Sequence, residues 1–220
     1  VEGEKDLIES CAFPAASGLS VDTDSPQVIR ERRTNLELLM ASGKHNCLFQ
    51  DAGDDSWADF QDKAADLEEH QDICPAYGVC DLQALAIEYG AEVDPSNLKP
   101  ARYPVEDVNP FIVRDFSRCT LCGRCIKACN EIQVNNVIDF DSKDSATRVV
   151  TRGDRALKDS DCVFCGECGQ ACPVGALVPK QDIVDGHLPA EARMIRTTCS
   201  YCGVGCQLYL HVRDNKVVKV

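Results

Sequence analysis

The chain has 220 residues, 15 of them cysteine, and a formal net charge of -13. Such acidity repels phosphate backbones and excludes nucleic acid as a partner, and no apolar stretch is long enough to span a bilayer. The cysteines fall in tight clusters without a signal-peptide pattern, which points to metal ligation in a reducing, cytoplasmic setting rather than to a disulfide framework. Aromatic residues make up only 6% of the chain, so one large core is not expected. The fold class expected is α+β, as several small modules stapled by metal.

Residues 1–24 read as irregular, around Ser10-Cys11-Ala12. By itself Cys11 is a free or buried thiol. A helix follows, with Ser25 as cap and Pro26 at the first helical position. Val28, Ile29, Leu36, Leu39 and Met40 recur at helical spacing up to a stop at Gly43. His45 and Cys47 lie just past that end. Residues 55–69 predict a second helix with Trp57, Phe60, Ala64 and Leu67 on one side. Residues 80–89 predict a third, with Leu82, Leu85, Ala86 and Tyr89 inward and Gly90 as the stop. Pro95, Pro100, Pro104 and Pro110 make 91–110 an extended linker.

From Phe111 short β-type runs (111–113, 137–138 and 148–151) alternate with cysteine-rich loops, and a four-cysteine motif occurs twice. A polar stretch, 180–192, precedes the last cysteine group. The chain then ends in a hairpin pattern: Leu208, Leu210 and Val212 alternate, Asp214-Asn215 offers a turn, and Val217-Val218 resumes. A strand breaking off at Val220, in a chain starting at Val1, reads as a piece of a longer polypeptide.

The paired motif carries the most specific chemistry. Cys119, Cys122, Cys125 and Cys129 have the spacing C-x2-C-x2-C-x3-C, and Cys162, Cys165, Cys168 and Cys172 repeat it, followed by Pro173. This is the spacing of bacterial two-cluster ferredoxins, in which the fourth cysteine ligates the other cluster. Three thiolates from one tight loop reach three corners of a cubane, and the paired loop supplies the fourth. The expected sets are therefore Cys119, Cys122, Cys125 and Cys172 for one [4Fe–4S] cluster, and Cys162, Cys165, Cys168 and Cys129 for the other. Gly123 and Gly166 let the backbone bend close to the inorganic core. Two zinc sites are the alternative, but zinc favours paired C-x2-C knuckles over four thiolates in one run.

Cys199, Cys202 and Cys206 form a second motif of three ligands, completed by a fourth beyond Val220 or forming half of a zinc site. A looser group comprises His45, Cys47, His70, Cys74 and Cys80, five candidates for about four positions. Histidine can replace a thiolate on iron. Surface histidines and buried apolar cysteines are the competing reading.

The order of these motifs resembles the N-terminal part of molybdenum- or tungsten-dependent formate dehydrogenase catalytic subunits. The match runs over nearly the whole chain. Residues 1–30, with Ser10-Cys11-Ala12 and Thr23-Asp24-Ser25-Pro26, resemble the tail of a plant-type [2Fe–2S] domain, where Cys11 would match the last ligand. Residues 31–95 correspond to a His-Cys [4Fe–4S] segment, most clearly from Cys80-Asp81-Leu82-Gln83 to Gly90. Residues 96–185 correspond to the two-cluster ferredoxin module, and 190–220 to the start of the molybdopterin-binding domain with its own [4Fe–4S] cluster. The family's His-x3-Cys-x2-Cys-x5-Cys run is interrupted here. Gln50 stands after the pair of residues that follows Cys47, and the Cys-x5-Cys end reappears as Cys74 and Cys80 after an insertion. His45, Cys47, Cys74 and Cys80 are the ligand set adopted, with His70 the rival for the histidine place.

The resemblance implies an iron–sulfur relay between a molybdopterin site, outside this stretch, and a partner such as a flavin subunit that reduces NAD, within a hetero-oligomer. No catalytic acid, base or nucleophile is visible in these 220 residues. Hydrogenase and NADH dehydrogenase iron–sulfur subunits share the early modules and are the alternatives, together with a freestanding electron carrier or adaptor.

Overall fold

The computed structural model describes residues 6–10, 12–43, 45, 74–92, 103–141, 147–180 and 192–220. The expected helix at 55–69, together with Cys11, Cys47 and His70, lies outside them, as does most of the 180–192 stretch.

Helix α1 spans Pro26–Ser42, and the Ser25 hydroxyl accepts from the Val28 amide at its N-terminus. Leu36 and Met40 are buried, whereas Ile29 and Leu39 of the expected stripe are exposed, so the inward face is narrower than the periodicity implied. Gly43 ends the helix in an extended conformation, not a left-handed one. A Cβ there would overlap the His45 imidazole as it is placed, so a side chain at this position would displace the ring.

Helix α2 spans Asp81–Glu88 and packs against α1. Arg33 Nε donates to the Tyr89 carbonyl (2.8 Å), and Arg32 lies over the Tyr89 ring and donates to its hydroxyl. Leu82 and Ala86 face inward as expected, but Leu85 is exposed and Gln83 takes its place in the interior. The Gln83 side-chain oxygen accepts from the Gly78 amide at 2.8 Å, satisfying a tight turn that the apolar pattern does not encode. Gly90, at φ +57°, ends the helix left-handed.

The expected linker is irregular where it is described over 103–110, and it is not free. Tyr103 exchanges backbone hydrogen bonds with the Ser117 hydroxyl, and Glu106 pairs with Arg114 through both backbone and side chain. Buried Asn109 accepts from the Phe111 and Ile112 amides. These contacts fasten 103–110 to the unit that follows.

That unit has the pseudo-symmetry of the doubled motif. Strand β1 (Ile112–Arg114) pairs antiparallel with β4 (Leu177–Pro179), and β2 (Ile138–Asp141) with β3 (Arg148–Thr151). Strand β4 was not among the expected runs. Each cysteine loop follows a single 3-10 turn, Phe116–Arg118 or Leu157–Asp159, and leads into a short helix. These helices are α3 (Arg124–Lys127, continuing as a π turn over Ala128–Ile132) and α4 (Glu167–Ala171). Register places Arg114 opposite Leu177, which returns the chain after Cys172 to the start of the first cysteine loop.

Residues 192–220 form a three-stranded antiparallel sheet of β5 (Arg193–Thr198), β6 (Gln207–Arg213) and β7 (Lys216–Lys219). The hairpin is as expected: Arg213 pairs with Lys216, and Asp214 and Asn215 both have positive φ, the backbone of a two-residue type I′ turn. Strand β5 is an addition. Among the described residues, no helix is long and apolar enough to cross a membrane.

Candidate metal centres

All 13 described cysteines are free thiols. In the two ferredoxin loops the backbone repeats itself. Leu121 and Phe164, two residues after the first cysteine of each motif, have φ of 57° and 53°, and Gly123 and Gly166 follow at 73° and 80°. These left-handed turns aim amides at sulfur: Leu121 N–H donates to Cys119 Sγ and Phe164 N–H to Cys162 Sγ, both at 3.4 Å. A Cβ at Gly166 would meet nothing within 4 Å, so its φ is what demands glycine there.

Cys119, Cys122, Cys125 and Cys172 line one small cavity, whose walls are otherwise mainly apolar, from Phe116, Val149, Val174 and Leu177. The other four thiols lie near one another. Cys162 feels the charge of Cys165 and Cys129, and Cys168 that of Cys162, Cys165 and Cys129. Among the described residues, no three His, Cys, Asp or Glu side chains converge tightly enough for a single ion. Burial pushes the Cys125 thiol up to about 12 and Cys168 to about 11, and Cys119, Cys162 and Cys172 upward as well. Neighbouring thiols add to the effect, because like charges crowded in an apolar pocket oppose ionisation. Thiols so placed become thiolates when a multiply charged metal centre compensates them. The donor set and its apolar walls thus fit iron–sulfur clusters.

Cys74 and Cys80 are both buried, and the Cys74 thiol adds to the rise of Cys80. Cys80 is raised to about 11, first by burial. Its Sγ donates to the Pro173 carbonyl at 3.5 Å, and the Asp81 amide donates to the same oxygen, so α2 begins on the turn after Cys172. Gly175 faces Cys74 closely: a Cβ there would sit 2.7 Å from the Cys74 sulfur. His45 is the remaining described member of the expected set. Burial, then Arg118, lowers it to about 4, with Asp115 opposing, so the imidazole is neutral, its ligating form. Its Nε2 is buried with no hydrogen-bond partner.

The two groups share a wall. Cys74 and Cys80 belong to one apolar cluster with Leu36, Met40 and Val174, while Cys125 and Cys129 belong to another with Ile138, Val149 and Leu177. Cys119 and Cys172 pack against both. Gly175 and Arg118 are the participants the sequence reading missed. The C-P-V-G run after Cys172 was the available signal for the glycine.

Cys199, Cys202 and Cys206 lie in the β5–β6 loop, which the Cys199 amide closes by donating to the Cys206 carbonyl at 2.8 Å. Cys202, Cys206, Tyr201 and Val204 are all exposed.

Residues 118–176 match the family profile of the 4Fe-4S dicluster domain, and 192–220 match that of the molybdopterin oxidoreductase Fe4S4 domain. The chain therefore carries these two iron–sulfur domains and is similar to parts of formate dehydrogenase-like and hydrogenase subunits. The NADP-reducing hydrogenase subunit HndD of Solidesulfovibrio fructosivorans is 31% identical over 83% of this chain and 27% of its own length. The NADPH-Fe(3+) oxidoreductase subunit alpha of Geobacter sulfurreducens is 28% identical over 100% of this chain and 23% of its own. The "Putative formate dehydrogenase" of Staphylococcus haemolyticus is 31% identical over 70% and 20%. Among solved structures, a chain of an NAD+-reducing [NiFe]-hydrogenase in the H2-reduced state superposes with a TM-score of 0.59 at 28% identity, covering 77% of this chain and 62% of that one. The chain thus spans roughly a quarter of the length of these curated relatives.

Proposed function

We propose that this iron–sulfur chain is the relay of a formate dehydrogenase-like enzyme, carrying electrons between a molybdopterin site and a partner such as a flavin subunit linked to NAD. The observation that carries the relay is the shared wall, with Cys119 and Cys172 packed against both apolar clusters. The match of 192–220 to a molybdopterin oxidoreductase domain favours the pterin end.

In this reading Cys119, Cys122, Cys125 and Cys172 hold one [4Fe–4S] cluster, and Cys162, Cys165, Cys168 and Cys129 the other. His45, Cys47, Cys74 and Cys80 hold a third, and Cys199, Cys202 and Cys206 contribute three ligands to a fourth. Cys11 belongs to a [2Fe–2S] site within 1–30. The remaining modules run over 31–95, 96–185 and 190–220. When bound, the clusters supply one-electron redox chemistry. The chain's own residues hold them, exclude water with Val149, Val174 and Leu177, and direct the Leu121 and Phe164 amides at sulfur, which stabilises the reduced, more negative state. A hydrogenase subunit is the second reading, favoured by the solved structure that covers 77% of this chain.

The test uses the full-length protein. Cys165→Ser should remove one cluster's iron and one low-temperature EPR signal while leaving the others. Formate-dependent dye reduction by the intact enzyme should separate the two readings. Unchanged iron and spectra in the variant would refute the ligand assignment, and hydrogen oxidation without formate oxidation would favour the hydrogenase.

A further inference from the structure

Arg118 and Asp115 form a buried ion pair, 5% and 7% exposed, with Nε donating to Oδ2 at 3.0 Å. Asp115 is itself held in place: its amide donates to the Ala176 carbonyl (2.8 Å), and its Oδ1 accepts from the Ser117 amide. The arginine side chain runs past Gly175. The point where a Gly175 Cβ would stand is 3.4 Å from Arg118 Cδ and 2.7 Å from Cys74 Sγ, so the two side chains are neighbours across it. Arg118 also immediately precedes Cys119, so it lies beside Cys74 on one side and the first ferredoxin loop on the other.

Desolvating such a pair is costly, and apolar side chains of similar volume would hold this corner at least as well. The charge itself is therefore the feature in need of a role. We propose that Arg118 is a positioning residue for the His45–Cys74–Cys80 site, whose guanidinium, anchored by Asp115, keeps a fixed positive charge against the site and raises the reduction potential of a cluster bound there. The proposal rests on the reading that this group holds a cluster. Reduction adds a negative charge, and a cation in a low-dielectric wall stabilises that state far more than one in water would. The His45–Cys74–Cys80 site then becomes easier to reduce than it would be without Arg118.

The experiment is an EPR-monitored redox titration of the full-length protein, following the signal that Cys80→Ser abolishes. The double variant Arg118→Met with Asp115→Asn removes both charges without stranding either one. Its His-Cys signal should titrate at a lower potential than wild type, with smaller shifts in the ferredoxin signals. Arg118→Lys, which keeps the charge, should stay near the wild-type value. Loss of the signal from the double variant with retention in Arg118→Lys would support the same dependence on charge. An unshifted signal in the double variant would overturn the proposal. So would loss of the cluster from both variants, because guanidinium shape rather than charge would then be the requirement. If Cys80→Ser removes no signal, the site reading fails and the proposal falls with it.

Discussion

Gly175→Ala is expected to dismantle the His-Cys site while leaving the ferredoxin loops in place. The new methyl would stand 2.7 Å from Cys74 Sγ, 3.3 Å from Ala76 Cβ and 3.4 Å from Arg118 Cδ. Non-bonded heavy atoms settle near 3.5–4.0 Å, so the sulfur must retreat by roughly 1 Å. The other two neighbours block the methyl from yielding in their direction. Overpacking of this kind costs about 1–3 kcal/mol. A displacement of ~1 Å also far exceeds the ~0.2 Å tolerance of a metal–ligand distance. Iron analysis and EPR of the full-length variant should show one [4Fe–4S] cluster missing or altered. Gly169→Ala is the matched control: nothing lies within 4 Å of its Cβ position and its φ is ordinary, so it should keep every cluster. Wild-type iron content and an unaltered spectrum in Gly175→Ala would refute the argument that Cys74 needs that space.

Further outcomes follow from the same geometry. His45 is lowered from 6.5 to about 4, so the unfolded state takes up its proton first. In the cluster-free protein its share of stability is complete above pH 6.5 and is lost as pH falls toward about 4, to the extent of about 3 kcal/mol. Thermal melts of His45→Asn between pH 7 and 4 should lack that component, and an identical acid profile would count against it. Ser25→Ala should cost about 1 kcal/mol by removing the cap on the Val28 amide, readable as reduced protection of the first turn of α1 in hydrogen exchange. Asn215→Val should destabilise the β6–β7 hairpin by about 1–2 kcal/mol, because Asn215 sits at φ 60°. Asn215→Gly should be neutral or stabilising in the same denaturation assay.

The features legible in the sequence were local ones. Spacing within each cysteine run defined which three thiols share a loop, because a left-handed turn two residues after the first cysteine is decided by adjacent backbone. Ser25-Pro26 set the start of α1, and Asp214-Asn215 set the turn of the hairpin, for the same reason. Local periodicity was weaker evidence for what faces inward. Gln83 displaced Leu85 because a buried turn amide at Gly78 needed an acceptor, a demand no apolar pattern records.

Tertiary structure decided what distant segments share. Pairing of β1 with β4 brings Cys172 back to the cavity of Cys119, Cys122 and Cys125, and carries Pro173 and Gly175 onto Cys80 and Cys74. Gly43 and Gly175 look like ordinary stops and turns until His45 and Cys74 are placed against them. Arg118 looks like one more charge beside a cysteine until burial removes the water that would screen it. Ligand type and loop spacing are properties of neighbours along the chain. Space and electric field are properties of neighbours across it, and those exist only once the strands have paired.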